Sequence, residues 1–337
     1  MVELADTHDS KSCASRHVGS TPTSGTKKFW GTQSQRVSKP TQKPTAIVIL
    51  GPTASGKTEL SIELAKKING EIISADSRQV YKGLNIGTGK VTKKEMGKIP
   101  HHLLDVANPK TKFSVARYQK LANQKIKEIL ARGKTPIIVG GTGFYIQAVV
   151  DGLILPEVAP NEKLREKLKN KTSAELFEIL KKINLSRAKN IDPQNPVRLV
   201  RAIEITKALG QVPELKKSPK TPCNFIQIGL KIEPEKLAGK IHKRLLKRLR
   251  QDLITEIKNL HQNGLSWKRM EELGLEYRYL ARFLQGKINQ DQALKELERE
   301  INRYAKRQMT WFKKDKNILW FDPTDKKILG KILAVLS

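Results

Sequence analysis

The run Gly51-Pro52-Thr53-Ala54-Ser55-Gly56-Lys57-Thr58 constrains this chain more than any other eight residues. It fits G-x-x-x-x-G-K-[ST] without a mismatch, directly after the apolar stretch Ala46 to Leu50 and directly before a helical pattern. Glycines let such a backbone curl until its N–H groups converge on phosphate oxygens, and the N-terminus of the next helix adds positive potential. Lys57 would reach the terminal phosphates, and the Thr58 hydroxyl would ligate a Mg²⁺ bridging them. The loop alone leaves open which diphosphate or triphosphate it holds.

Its setting predicts the fold. Leu60, Leu64, Ala65 and Ile68 recur at helical spacing, Asn69-Gly70 stops the helix, and Glu71 to Ala75 reads as a second strand. Strand, helix and strand so close together form a βαβ unit, hence a parallel sheet. A helix from Val115 to Arg132 leads to a buried strand at Pro136 to Val139, and Phe225 to Leu230 and Ile318 to Phe321 are later strands. The expected class is α/β, a P-loop kinase-like parallel sheet flanked by helices. Residues 151–221 read as helical and charged, a helical insertion domain on a core made of 45–150 and 222–337 with its C-terminal helices. Residues 1–44 hold seven Lys/Arg against three acids and no apolar periodicity, and read as a disordered basic arm. Organellar targeting peptides share that composition, but Glu3, Asp6 and Asp9 count against one.

Charge narrows the partner. The 337 residues carry 64 Lys/Arg against 33 Asp/Glu, a net charge of +31 that points to a polyanion. Apolar runs stay far below the ~20 residues of a membrane helix, so nucleic acid is favoured over a membrane and the cytoplasm is the expected compartment. Two cysteines, Cys13 and Cys223, cannot build a disulfide framework or a four-ligand zinc site. Ile241, Leu245, Leu249, Leu253, Ile257 and Leu260 predict one face of a long helix. Lys243, Arg244, Lys247, Arg248 and Arg250 lie on its other face, either solvated or holding a phosphate backbone.

Asp76 directly follows the second strand and should project over the same sheet edge as the phosphate loop. It can ligate a metal or take a proton from an attacking nucleophile. With Gln79 three residues on, it equally fits a helix capping box. Thr142, in Gly140-Gly141-Thr142-Gly143, can cap the next helix or line the cleft. That strand ends without the aspartate that motor and switch ATPases use to support their metal. Adjacent His101 and His102 point different ways on a strand and make a poor metal site.

The motifs GPTASGKT (51–58), SADSRQVYKG (74–83), PHHLLD (100–105), GGTGFY (140–145), DPQNPVRLVRAIE (192–204), GLEYR (274–278) and KRQMTW (306–311) stand in one order. In that order the chain resembles the tRNA dimethylallyltransferases, also called tRNA isopentenyltransferases, over residues 46–321. The resemblance implies transfer of a dimethylallyl group from dimethylallyl diphosphate to the N6 amine of the adenine just 3′ of the anticodon, releasing diphosphate. It makes Asp76 the base, puts Thr142 at the reaction channel, and gives Lys57 and Arg278 the charge of the departing diphosphate. It assigns tRNA contact to Asp76, Ser77, Arg78 and Gln79, to Thr142 and Arg165, and to Val197, Arg198, Leu199, Val200 and Arg201. Further contact falls to Leu273, Gly274, Leu275, Glu276, Tyr277 and Arg278. The set closes with Lys306, Arg307, Gln308, Met309, Thr310, Trp311, Phe312 and Lys313. The insertion domain would serve the tRNA anticodon stem-loop, and the enzyme would be a monomer.

Arg198 and Arg201 lie three apart after Pro196, so both should face one RNA strand. Tyr304, Trp311 and Phe312, among the basic residues near the C-terminus, can stack on bases or belong to the core. Glu276 stands where the family has Gly, and a carboxylate there is expected to repel RNA phosphate or alter the turn that aims Arg278. The absence of a C-terminal Cys/His finger matches the bacterial type. Adenylate isopentenyltransferases and small-molecule kinases share the phosphate loop; the charge, the insertion and KRQMTW favour tRNA.

Overall fold

The computed structural model describes residues 43–218 and 221–336. The expected arm lies outside the described residues except for Lys43 and Pro44. Strand β1 (Thr45–Leu50) runs into the phosphate loop and helix α1 (Lys57–Lys67), which returns to β2 (Gly70–Ser74). A long connection with the single turn α2 (Lys93–Met96) and the short β3 (His101–His102) leads to α3 (Val115–Ala131), β4 (Thr135–Gly140) and α4 (Gly143–Val150). Four helices follow: α5 (Glu162–Leu168), α6 (Ser173–Ile183), α7 (Leu185–Lys189) and α8 (Pro196–Leu209). Strand β5 (Asn224–Leu230) rejoins the sheet. Then come α9 (Pro234–Arg250), α10 (Leu253–Gln262), α11 (Trp267–Leu273), α12 (Leu275–Leu284) and α13 (Gln290–Phe312). The chain closes with β6 (Ile318–Phe321) and α14 (Ile328–Leu336).

All six strands pair in parallel, in the order β3-β2-β4-β1-β5-β6. Successive strand side chains point to opposite faces, and both faces of β1 are buried, so it reads as an unbroken apolar run. Ala46, Val48 and Leu50 pack with Tyr118, Ala122 and Ile126 of α3 and with Ile146 and Val149 of α4. Ile47 and Ile49 pack with Leu60 and Leu64 of α1 and Ile332 of α14. Each such fully buried Ile or Leu contributes roughly 1.5–3 kcal/mol.

The helices of 162–209 have a small core of their own, built on Leu168, Leu176, Leu180, Leu199 and Ile203. Their starts are locally specified. Thr172 and Glu175 form a capping box, and Asn195 caps α8 with Pro196 at its first position.

The single long helix expected through Ile241–Leu260 is two. Asp252, at φ 64°, breaks it between α9 and α10. Ile241 and Leu245 pack on Tyr279, Leu297 and Ile301, whereas Leu253 and Ile257 join a different cluster with Val80, Met270 and Leu280. One periodic stripe thus serves two cores, because a single left-handed residue redirects the axis without disturbing the local spacing.

At the amino end of β2, buried Glu71 accepts from Arg132 Nη2 at 2.6 Å and meets Lys134 Nζ at 2.9 Å and His102 Nε2 at 2.7 Å. His101 Nδ1 faces the Ile99 carbonyl at 2.8 Å. Each histidine thus has a partner in the fold through one ring nitrogen.

Candidate active site

The loops that follow β1, β2 and β4 share one edge of the sheet, where ligands of open α/β folds bind. A cavity of about 760 Å³ opens there. Gly56, at φ 89°, occupies the left-handed region that glycine adopts freely. Ala54 sits at φ 62° with a Cβ to accommodate, a conformation that costs about 1–2 kcal/mol. Lys57 Nζ curls over the loop and donates to the Pro52 carbonyl at 2.5 Å and to the Ser55 hydroxyl at 3.3 Å. The Thr58 hydroxyl-bearing residue is exposed at the cavity wall.

Helix α9 turns its basic face into this cleft. Arg244 Nη2 donates to the Thr53 hydroxyl, and Lys240, Lys243, Lys247 and Arg248 line the same cavity. Burial pulls the Lys57 ammonium down to about 7, with Arg244 adding to the shift and Asp76 opposing it. Burial, then Arg248, lowers Arg244 to about 9 against the pull of Glu276 and Asp76. Cations so depressed mark a place whose field favours an arriving anion.

Asp76 lies at the cavity wall, half-buried, just past the end of β2. Its Oδ1 accepts from the Arg78 N–H at 2.7 Å and the Gln79 N–H at 3.2 Å. This is a cap on a turn, and no helix follows it: the next one begins at Lys93. Asp76 Oδ2 has no hydrogen bond among the described residues. Thr142 precedes α4 without capping it; its Oγ1 accepts from the Ser77 N–H at 3.0 Å and so fixes the Asp76 turn. Tyr304 lies on the same wall, and burial followed by Asp76 pushes its phenol up to about 12.

The KRQMTW segment divides by burial. Gln308 is buried and ties two loops together, its Oε1 accepting from Thr53 N–H at 2.8 Å and its Nε2 donating to the Gly141 carbonyl at 2.9 Å. The Trp311 indole lies against Gly143, where a Cβ would collide with it. Phe312 belongs to the main core. Lys306, Arg307, Thr310 and Lys313 are exposed, and Met309 is half-buried.

In α8, Val197 and Arg198 are exposed, Val200 is half-buried and Leu199 is core. Arg198 and Arg201 do not share a presentation. Arg201 Nη1 folds onto buried Glu204 at 3.1 Å, where Arg165 also binds through Nε at 2.7 Å and Nη2 at 3.0 Å. Between α11 and α12, Leu273, Glu276 and Tyr277 are buried, while Gly274, Leu275 and Arg278 are half-buried. Leu199, Leu273, Glu276, Tyr277, Gln308 and Phe312 are buried, and their side chains serve as packing or struts.

Two expectations are corrected. Arg278 does not face the phosphate loop: Nε and Nη2 donate to the Glu271 carbonyl at 3.1 and 2.9 Å, and it does not line the cavity. Arg244 stands at the loop instead. The Glu276 carboxylate is turned inward rather than toward Arg278: its Oε1 pairs with Arg248 Nη1 at 2.9 Å inside the protein. Sequence reasoning placed Arg244 and Arg248 on a basic face that could hold phosphate and Tyr304 among possible stacking residues, but did not bring them to the phosphate loop. The available signal was the i, i+4 spacing of the two arginines at the edge of the apolar stripe of α9.

The IPP transferase family model matches residues 79–315. A tRNA dimethylallyltransferase of Anoxybacillus flavithermus is 44% identical over 289 residues, 85% of this chain and 92% of that protein. One from Syntrophomonas wolfei is 41% identical over 84% of this chain and 94% of its own length. The crystal structure of a full-length tRNA isopentenylpyrophosphate transferase from Bacillus halodurans superposes with a TM-score of 0.67 at 37% identity, covering 88% of this chain and 96% of that one. A eukaryotic dimethylallyltransferase described as acting on tRNA gives a TM-score of 0.69 at 26% identity, over 87% of this chain and 78% of that one. A family model over most of the chain, relatives above 40% identity along most of their own length and a matching solved fold agree: the chain belongs to the IPP transferase family.

Proposed function

We propose that the chain transfers the dimethylallyl group of dimethylallyl diphosphate to the N6 amine of the adenine 3′-adjacent to the anticodon in tRNA, releasing diphosphate. The observation that carries this reading is one cleft holding both a cation-walled phosphate loop and half-buried Asp76. The tRNA dimethylallyltransferase relatives support the donor and the acceptor.

In this scheme the amine nitrogen bonds to the allylic carbon while the carbon–oxygen bond breaks, its electron pair leaving with diphosphate. The amine proton passes to Asp76, whose Oδ2 is uncommitted while Oδ1 holds the turn. Lys57 and Arg244 stabilise the charge that builds on the leaving group. Adenine nitrogen is a weak nucleophile, so alignment of the two substrates supplies much of the acceleration. Thr142 fixes the Asp76 turn through the Ser77 N–H.

The donor set suits Mg²⁺. Thr58 offers hard oxygen at the cavity wall, and among the described residues no group of three or more His, Cys, Asp or Glu forms an all-protein cage. Mg²⁺ takes few protein ligands beside phosphate oxygens. Bound near Thr58, it would neutralise part of the diphosphate charge.

The helical insertion, 151–221, and the exposed cations of α13 would hold the anticodon stem-loop. Arg198, Lys306, Arg307 and Lys313 supply phosphate contacts. The target base leaves the loop stack to enter the cleft, at low cost in a single-stranded loop. Nothing in this scheme requires a second subunit, and the enzyme would act as a cytoplasmic monomer.

The test is mass spectrometry of an unmodified anticodon stem-loop after incubation with the protein, Mg²⁺ and dimethylallyl diphosphate, with AMP and ATP in parallel. A gain of one dimethylallyl group on RNA alone is expected. Prenylated AMP would transfer the assignment to a nucleotide prenyltransferase, and no prenylation in any reaction would defeat the reading.

A further inference from the structure

The cleft wall facing the phosphate loop is a stretch of irregular backbone, and its shape depends on a residue outside every motif. Asn85, Ile86, Thr88, Gly89 and Lys90 line the cavity. Glu256 of α10 reaches this stretch from behind. Its Oε2 accepts from the N–H groups of Asn85 at 3.0 Å and Ile86 at 2.7 Å, and its Oε1 accepts from Gly87 N–H at 3.1 Å. The Tyr277 hydroxyl donates to Oε1 at 2.9 Å. Three consecutive backbone N–H groups converging on one anion are a nest, and here the nest is filled by the protein's own carboxylate.

The same stretch is held from other sides. Arg248 Nη1 donates to the Gly87 carbonyl at 3.0 Å, and Gln79 Nε2 reaches the carbonyls of Thr88 and Gly89 at 3.4 and 3.3 Å. The Tyr277 ring fills the space beside Gly87, leaving no room for a Cβ. Glu256 is the only one of these groups that acts on three adjacent N–H donors at once. Hydrogen bonds to a charged acceptor are roughly twice as strong as neutral ones. Leaving three backbone donors unmet would cost more than the loop could absorb in place.

We infer that Glu256 is a positioning residue: its carboxylate winds residues 85–87 into the wall that faces the phosphate loop and so sets the cleft's fit to the prenyl diphosphate. The inference rests on the proposed function for the identity of that ligand, but not for the mechanics of the wall. It predicts a defect in donor binding with little change in RNA affinity.

The experiment uses the full chain with Glu256→Gln, Glu256→Asp and Gly87→Ala. Donor binding is read by calorimetry with dimethylallyl diphosphate and Mg²⁺ without RNA, alongside thermal melts and steady-state KM for each substrate. For Glu256→Gln, donor Kd and KM should rise at least tenfold, with KM for the stem-loop within twofold. Glu256→Asp, which keeps the charge, should recover part of the loss. Gly87→Ala should displace the same wall through its clash with the Tyr277 ring and raise donor Kd with Glu256 intact, so the inference stays testable even if Glu256→Gln fails to fold. Donor Kd within twofold of wild type in folded Glu256→Gln, or in Gly87→Ala if only that variant folds, would overturn it. So would equal rises in both KM values. If wild-type protein binds the donor but prenylates nothing, the proposed reaction fails while the calorimetric comparison still decides the role of Glu256.

Discussion

The two ends of β2 solve opposite electrostatic problems. At the amino end, Glu71 is buried among Arg132, Lys134 and His102. Burial alone would raise its carboxyl, but Lys134, His102 and Arg132 outweigh that and hold it down at about 2. At the carboxyl end the excess is positive. Lys57 and Arg244 are pulled well below their usual values; of the carboxylates that oppose this, Asp76 spends one oxygen on its own turn and Glu276 is paired with Arg248. Charge that is matched inside the chain belongs to the fold. Charge left unmatched at a cavity is matched by something that arrives.

The sharpest way to break this contrast is Asp76→Asn. Turnover should fall roughly 10²–10⁴-fold, the range for loss of a general base. Removing the carboxylate should leave the denaturation midpoint nearly unchanged, because an amide oxygen can still accept from the Arg78 and Gln79 N–H groups. Full turnover in this variant would remove Asp76 from the chemistry.

Lys57→Met probes the other side of the cleft. Diphosphate binding by calorimetry should weaken by about 100-fold, as expected for a charge-assisted contact of about 3 kcal/mol. Unaided stability should hold or improve, since a buried cation without an ion pair is removed. A loss of stability with intact binding would invert the assignment.

At the matched end, Glu71→Gln should lower stability by roughly 2–4 kcal/mol, since its partners lose their counter-charge, with turnover per folded molecule unchanged. The pH sign follows from the lowered value. The folded-state carboxyl, at about 2, lies below its ordinary 4.5, so its stabilisation is complete above about 4.5 and is lost as pH falls toward 2. Denaturant midpoints across that window, compared with Glu71→Gln, isolate the contribution.

The smallest effect is a proton count. Lys57, at about 7, is largely neutral at pH 8, and a bound anion restores its charge. Diphosphate binding at pH 8 should include uptake of up to about one proton at this site. Calorimetry in two buffers of different ionisation enthalpy reads the number, and the difference between wild type and Lys57→Met assigns it. No difference would place the titration elsewhere.

What could be read from the sequence was local. The boundaries of α1, α3, β4 and β6 rest on apolar spacing, caps and stop signals within a few residues, and they agree with the structure to within one or two residues. The phosphate loop and Asp76 were legible for the same reason, each tied to the strand before it. What escaped depends on residues far apart in the chain. Arg244 meets Thr53 across 191 positions, and Glu256 meets Gly87 across 169. Nothing near Glu276 indicates that it faces Arg248, so its carboxylate read as an intruder when it is a counter-ion. The break at Asp252 was hidden because both half-helices keep the same period.

Gln308 makes the enzyme indivisible. Its side chain joins the phosphate loop at Thr53 to the glycine loop at Gly141, two segments in the amino-terminal half of the sequence, and it does so from α13. A fragment ending before α13 would retain every glycine and lysine of the phosphate loop and lose the tie that shapes it. Ribosomal synthesis must therefore reach the last tenth of the chain before Gln308 can join the two loops.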